Sequence, residues 1–168
     1  MQENIYILGM PGSGKSTWGK RLANVLNCNF VDLDSMIEEQ YGTSIEQIFK
    51  DRGEDYFREI EKEWLHKTAV FNNTIIACGG GTPCFFDNIN WINLHGKSIY
   101  FKANIALLLD RIEGSKTQRP LFLGMSREEM REKIENLLLL REPYYLQSRI
   151  HIGLPVKTIK DIVNQIVK

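Results

Sequence analysis

Apolar residues fall in two rhythms along the 168-residue chain. Four short runs are apolar without a clean alternation: Asn4–Leu8, Asn29–Leu33, Thr74–Cys78 and Lys97–Phe101, with a weaker fifth at Arg149–Ile152. Runs of that length and character fit strands covered on both faces. Helical spacing fills the intervals. Lys15–Leu26 follows the first run, and Ser35-x-x-Glu38 reads as a capping box that opens a short helix. Ser44-x-x-Gln47 opens another, which Gly53 ends. Glu54–Phe71 predicts a long helix with Phe57, Ile60, Trp64 and Leu65 at core spacing. Asn104–Arg111, a third capping box at Ser126-x-x-Glu129, and Thr158–Val167 account for the rest. The Leu137–Leu140 run and the three tryptophans are assigned to the core. Strands alternating with helices predict an α/β fold with a parallel sheet and right-handed crossovers. Ligands of such sheets sit at the carboxyl ends of the strands, so the residues after each strand carry the search for a site.

After the first strand comes Gly9-Met10-Pro11-Gly12-Ser13-Gly14-Lys15-Ser16-Thr17, which is G-x-x-x-x-G-K-[ST] at a strand-to-helix turn. Its glycines let backbone N–H groups curl around an anion, and the following helix aims its positive end at the same point. Lys15 reaches β- and γ-phosphates, and the Ser16 hydroxyl suits Mg²⁺. A bound nucleoside triphosphate is the expectation.

The second strand delivers Asp32-Leu33-Asp34, 17 and 19 residues past Lys15. In extended backbone, residues two apart point the same way, so both carboxylates are expected to face the site. One would hold metal-bound water and the other accept a proton from a hydroxyl nucleophile. The bland alternative has Asp34 capping the next helix and Asp32 solvated. The third strand delivers Gly79-Gly80-Gly81, whose missing side chains permit a ligand to lie against backbone or the chain to turn sharply. Arg58 suits bidentate carboxylate recognition, although an i,i+3 surface pair with Glu61 explains it equally from spacing alone. Arg141, at the end of a helix, suits the helix dipole as well. The stretch Gly114–Gly124 is polar, basic and bounded by glycines, which predicts a mobile loop. Its Arg119 would stabilise charge on a transferring phosphoryl group, or simply be solvated.

Composition narrows the functions. Twenty-one basic and 21 acidic residues leave a formal net charge of zero. That excludes the net positive face of nucleic-acid or polybasic membrane binders. Cys28, Cys78 and Cys84 are too few and too scattered for a disulfide framework and are expected as reduced thiols. His66, His95 and His151 show no metal-ligand spacing. No secretory signal or membrane-spanning run appears, so a cytoplasmic location is expected. The length fits one domain spanning 1–168, expected as a monomer.

Taken together these motifs resemble the shikimate kinases, small P-loop kinases related in fold to nucleoside monophosphate kinases. The resemblance covers nearly the whole chain. It rests on Gly9–Ser16, the D-x-D of Asp32 and Asp34, and Ser44-Ile45-x-x-Ile48-Phe49 followed by Gly53-Glu54-x-x-Phe57-Arg58-x-x-Glu61. It continues through Gly79-Gly80-Gly81, Arg119-Pro120-Leu121 and Arg141-x-Pro143-x-Tyr145. The resemblance implies a three-layer αβα fold around a five-stranded parallel sheet, with a substrate-binding region at about 34–61 and a mobile lid at about 113–124. It implies transfer of the ATP γ-phosphoryl group to the 3-hydroxyl of shikimate, with Mg²⁺. Gly12, Ser13, Gly14, Lys15, Ser16 and Thr17 would hold the nucleotide phosphates, with Ser16 and Asp32 on the metal. Asp34 would bind the substrate hydroxyls and serve as general base. Arg58 and Arg141 would bracket the carboxylate, Gly79, Gly80 and Gly81 would line the pocket, Arg119 would close over the phosphates, and Arg111 would stack on adenine. Met10-Pro11 and Thr82-Pro83-Cys84 depart from the residues common in the family at those places and leave the lip of the substrate pocket open.

Two rivals stand beside this reading. Another small P-loop kinase, acting on gluconate or a nucleoside monophosphate, would use the paired arginines on its own anion. A non-catalytic nucleotide-binding module would tend to lose the base or the lid arginine, and Lys15, Asp34 and Arg119 are all present here.

Overall fold

The computed structural model describes residues 3–115 and 120–166. Among them, five strands form one parallel sheet: β1 (Asn4–Leu8), β2 (Asn29–Asp32), β3 (Thr74–Ala77), β4 (Gly96–Lys102) and β5 (Ile150–Gly153). The order across the sheet is β2-β3-β1-β4-β5. The chain winds first to one side of β1 and then to the other, so the carboxyl end of β1 is the switch point where such sheets bind ligands. Registers such as Ile7↔Ala77 and Leu8↔Tyr100 bring the ends of β1 and β3 together, with β4 running on to Lys102 beside them. Tyr6, Ile7, Leu8, Ile75, Ile76, Ile99 and Phe101 are buried, as strands covered on both faces require.

Helix α1 (Lys15–Leu26) runs straight out of the β1 loop. The following helix, α2 (Leu33–Tyr41), starts three residues earlier than the Ser35 box predicts. Its cap is Asp32, whose side chain accepts from the Ser35 N–H at 3.3 Å, while Glu38 instead accepts from the Ile45 N–H at 2.9 Å. Leu33 and Ile37 explain the shift. Four apart on a helix, both turn into the core, whereas an extended Leu33 would lose that register. Asp34 therefore stands in the first helical turn and not in extended backbone.

Helix α3 (Ile45–Lys67) is capped by Ser44, which accepts from the Gln47 N–H at 3.1 Å. It breaks at Gly53, where φ is 83° and ψ 171°. A left-handed residue of this kind ends one helix and lets a second restart at a new angle. The restart aims Phe57, Arg58 and Glu61 inward. The helix ends at Lys67, short of the expected Phe71, and Thr68–Val70 finishes as a tight turn.

Helix α4 (Asn88–His95) has no counterpart in the sequence reading, because its alternating asparagines and apolar residues blur the helical period. Helix α5 (Ile105–Glu113) is capped by Asn104, and α6 (Arg127–Tyr145) by a reciprocal box between Ser126 and Glu129. Helix α6 continues through Pro143, so Arg141 lies inside its last turns. Leu139 and Leu140 are 76% and 69% exposed, which corrects their assignment to the core. Four consecutive helical positions span more than one face, so only Leu137 and Leu138 pack inward. The tryptophans are half-buried against the core. Helix α7 (Ile159–Ile166) closes the described chain. Of the expected lid, Arg119 lies outside the described residues, and Phe122 just beyond it is buried. Among the described residues no helix is long and apolar enough to cross a membrane.

Candidate active site

A cleft of about 190 Å³ opens at the carboxyl ends of β1, β2 and β3. It is lined by Pro11, Gly12, Gly14, Lys15, Ser16, Thr17, Asp32, Asp34, Cys78, Gly79 and Gly80. A larger open groove of about 390 Å³ runs along α6 between Met125 and Leu140, away from the strand ends.

The β1 loop is wrapped as an anion cradle. Gly12 and Gly14 both sit at φ 88°, a left-handed conformation that frees their N–H groups to point into the loop. Lys15 donates to the carbonyls of Gly9 at 2.9 Å and Met10 at 3.1 Å, which curls its ammonium over the loop. Ser13 is fully buried within the loop, and Arg111 of α5 braces it from behind by donating to the Ser13 carbonyl at 2.8 Å.

Ser16 opens α1 and Asp32 ends β2, and their side chains meet: the Ser16 hydroxyl donates to Asp32 Oδ2 at 2.5 Å. Asp34 faces the same cleft one helical residue further on. The expected convergence of the two carboxylates holds, but its cause differs, because a strand-to-helix junction and not a two-residue repeat turns both inward. The roles in capping are also reversed, since Asp32 caps α2 and Asp34 is left to the cleft.

Burial, helped by the negative charges of Glu61 and Asp32 and opposed by Lys15, pushes the Asp34 carboxyl from 3.8 up to about 7. A carboxylate that holds its proton near neutrality is a general-base candidate.

The Gly79–Gly81 turn is closed in on every side. A Cβ on Gly79 would stand 2.8 Å from Asp34 Oδ1 and 2.9 Å from Glu61 Oε1. On Gly80 it would meet Pro11 at 2.9 Å and Arg141 Nη1 at 3.0 Å, and on Gly81 the Arg58 guanidinium at 2.7 Å. The turn is therefore pressed between both arginines, the phosphate loop and the two carboxylates.

Arg58 and Glu61 do pair at i,i+3, but not at the surface. Arg58 is 6% and Glu61 1% exposed, and they meet at 2.8 Å. Glu54 accepts from the other side of the guanidinium at 2.9 and 3.1 Å, and Phe85 lies 4.3 Å from its centre. Burial opposes the Arg58 charge, but Glu61 and Glu54 outweigh it and leave its pKa raised. Thr82 donates to Glu61 Oε1 at 2.6 Å, tying α3 to the glycine turn. Two residues of this site, Thr82 and Tyr145, were given no role by the sequence reading. Tyr145 donates to the Gly80 carbonyl at 2.5 Å, and the R-x-P-x-Y spacing was its available signal.

A family-wide sequence profile described as "Shikimate kinase" matches residues 11–168. The chain belongs to the shikimate kinase family. The shikimate kinase of Parabacteroides distasonis is 39% identical over 170 residues, covering 99% of this chain and 98% of its own. A crystal structure of the shikimate kinase from Bacteroides thetaiotaomicron superposes with a TM-score of 0.93 at 36% identity, covering 98% of this chain and 96% of that one. The Acinetobacter baumannii shikimate kinase, solved in complex with shikimate, superposes at 0.88 with 30% identity, covering 99% and 92%. The likeness to shikimate kinases thus extends over the sheet, the phosphate loop, the glycine turn and α6 alike.

Proposed function

We propose that the chain transfers the γ-phosphoryl group of ATP to the 3-hydroxyl of shikimate, giving shikimate 3-phosphate and ADP. The observation that carries this reading is the arrangement around Gly79–Gly81. One backbone turn has a basic carboxylate at its first residue and guanidinium groups at its second and third, all beside the phosphate loop. Shikimate is a small carboxylated triol. Such a substrate needs a cation for its carboxylate, an acceptor for its hydroxyls and close backbone, and this turn offers each.

In this reading Lys15 and the loop amides hold the nucleotide phosphates, and Arg58 and Arg141 bracket the substrate carboxylate. Asp34 accepts the proton of the attacking hydroxyl as that oxygen bonds to the γ-phosphorus. The bond from the γ-phosphorus to the β–γ bridging oxygen breaks, and the electron pair leaves with ADP. Catalysis of this kind rests on alignment and on charge neutralisation. Ser16 and Asp32 present hard oxygens in contact at the cleft, a donor set that suits Mg²⁺, which binds through few protein ligands plus phosphates and water. When bound, the ion would neutralise charge between the β- and γ-phosphates. Arg111 braces the loop beside the nucleotide.

The test is ADP release from Mg·ATP with shikimate, gluconate or a nucleoside monophosphate as acceptor. Stimulation by shikimate is expected. Stimulation by gluconate or a nucleotide in its place would keep the kinase and overturn the substrate. No stimulation by any acceptor, with ATP bound, would favour a non-catalytic module.

A further inference from the structure

Tyr145 ends α6 with its side chain fully buried, and its ring stacks on Tyr100 of β4 with centroids 5.0 Å apart. That packing alone would suit a phenylalanine. The hydroxyl, however, is engaged on two sides. It donates to the Gly80 carbonyl at 2.5 Å and lies 3.8 Å from the Met10 sulfur in the phosphate loop. Gly80 in turn packs against Pro11 and Arg141. One oxygen thus ties the phosphate loop to the glycine turn at the point where that turn meets the carboxylate-binding arginine.

We propose that Tyr145 is a positioning residue for substrate binding, fixing the Gly80 carbonyl and the Arg141 guanidinium relative to one another. This rests on the reading of Arg141 as a carboxylate partner. Arginine carries several rotatable bonds, and freezing them before substrate arrives saves entropy at the moment of binding. A hydroxyl that pins the Gly80 carbonyl holds in place the turn against which the guanidinium packs. Burial holds the Tyr145 proton far above the ordinary phenol range, with Arg141 opposing, so the group stays a donor throughout the working pH range.

The decisive variant is Tyr145→Phe, which keeps the ring and removes the oxygen. The KM for shikimate is expected to rise roughly tenfold, from one buried carbonyl left unsatisfied and a turn no longer held against the Arg141 guanidinium. The KM for ATP is expected to stay within about twofold and kcat within about threefold, the signature of lost substrate binding. In an Arg141→Ala background the same change should add less than about twofold, because Tyr145 acts through that arginine. Tyr100→Phe, which leaves the stack and loses only a 3.3 Å bond to Glu142, should leave the shikimate KM unchanged. A Tyr145→Phe variant with unaltered shikimate KM would overturn the proposal. So would equal rises in both KM values, or effects that simply add in the double variant, since each marks a general structural role. If the parent protein shows no shikimate-dependent turnover, the substrate reading itself falls, and that failure is visible before any variant is made.

Discussion

Replacing Asp34 by Asn should cost the enzyme its activity and make its fold more stable. Burial in the cleft, and then the negative charges of Glu61 and Asp32, raise the pKa of its carboxyl from 3.8 to about 7. The native state therefore binds this proton more tightly than the unfolded chain does. As pH rises from about 4, the unfolded chain loses the proton first, so parent stability falls relative to the variant until the native group also ionises near 7. The gap of about 3 between the two values, at about 1.4 kcal/mol each, is about 4 kcal/mol at full strength. Water reaches the cleft, and Lys15 lies near enough to oppose the shift, so about half of that is expected in practice, ~2 kcal/mol. For a chain of this length that raises Tm by about 4–8 °C. The assay is thermal unfolding of parent and Asp34→Asn from pH 4.5 to 8, without nucleotide and in buffers free of phosphate and sulfate, which would occupy the loop. Near pH 4.5 roughly a quarter of the difference should be present, and all of it by pH 8. Over the same range kcat should fall about 10²–10⁴-fold, the usual contribution of a general base. A variant less stable than the parent at pH 8, or a stability difference that ignores pH, would refute the electrostatic account of the cleft.

Two further substitutions probe the same cleft. Glu61→Gln removes the like charge second only to burial in raising Asp34, and it keeps an acceptor for Thr82. The rising limb of kcat/KM for shikimate against pH, expected near 7 in the parent, should move down by roughly half to one unit, while Tm drops as Arg58 loses a buried partner; a limb that stays put would show that Glu61 does not tune the base. Gly79→Ala places a methyl 2.8 Å from Asp34 and 2.9 Å from Glu61. Its kcat/KM should fall at least about tenfold, from misplacement of the base, and a variant within twofold of the parent would mean that the turn gives way easily.

Where the sequence was easy to read, a local pattern had one physical solution. A phosphate loop needs left-handed glycines between a strand and a helix, and Gly9–Ser16 can hardly be built otherwise. The Ser44 and Ser126 caps were legible for a similar reason, because a hydroxyl three residues before a matching N–H is satisfied within one turn. The Ser35 box failed because a competing need, burial of Leu33 with Ile37, set the helix start from outside the local pattern. Helix α4 was hidden because its apolar residues do not keep a helical period. The depth of the Arg58–Glu61 pair was hidden too. Spacing reveals that two side chains can meet on a helix, but only the break at Gly53 and the packing of Thr82 decide that they meet inside.

The three carboxylates near the cleft explain why only one of them is suited to be the base. Asp32 has two fixed duties: it accepts from the Ser16 hydroxyl and it caps α2 through the Ser35 N–H. Glu61 has two as well, pairing with Arg58 and accepting from Thr82. Both carboxylates are thus committed to fixed partners before any substrate arrives. Asp34 is left to the cleft, and its proton affinity rises through burial first and then through the negative charges of Glu61 and Asp32. The arrangement follows from chain order. Asp32 must turn the strand into a helix, Glu61 must hold the arginine against the glycine turn, and the carboxylate left facing both becomes the basic one. Its basicity is thus a property of the cleft, and neutralising Asp32 or Glu61 should weaken the base even though neither need touch the proton it takes.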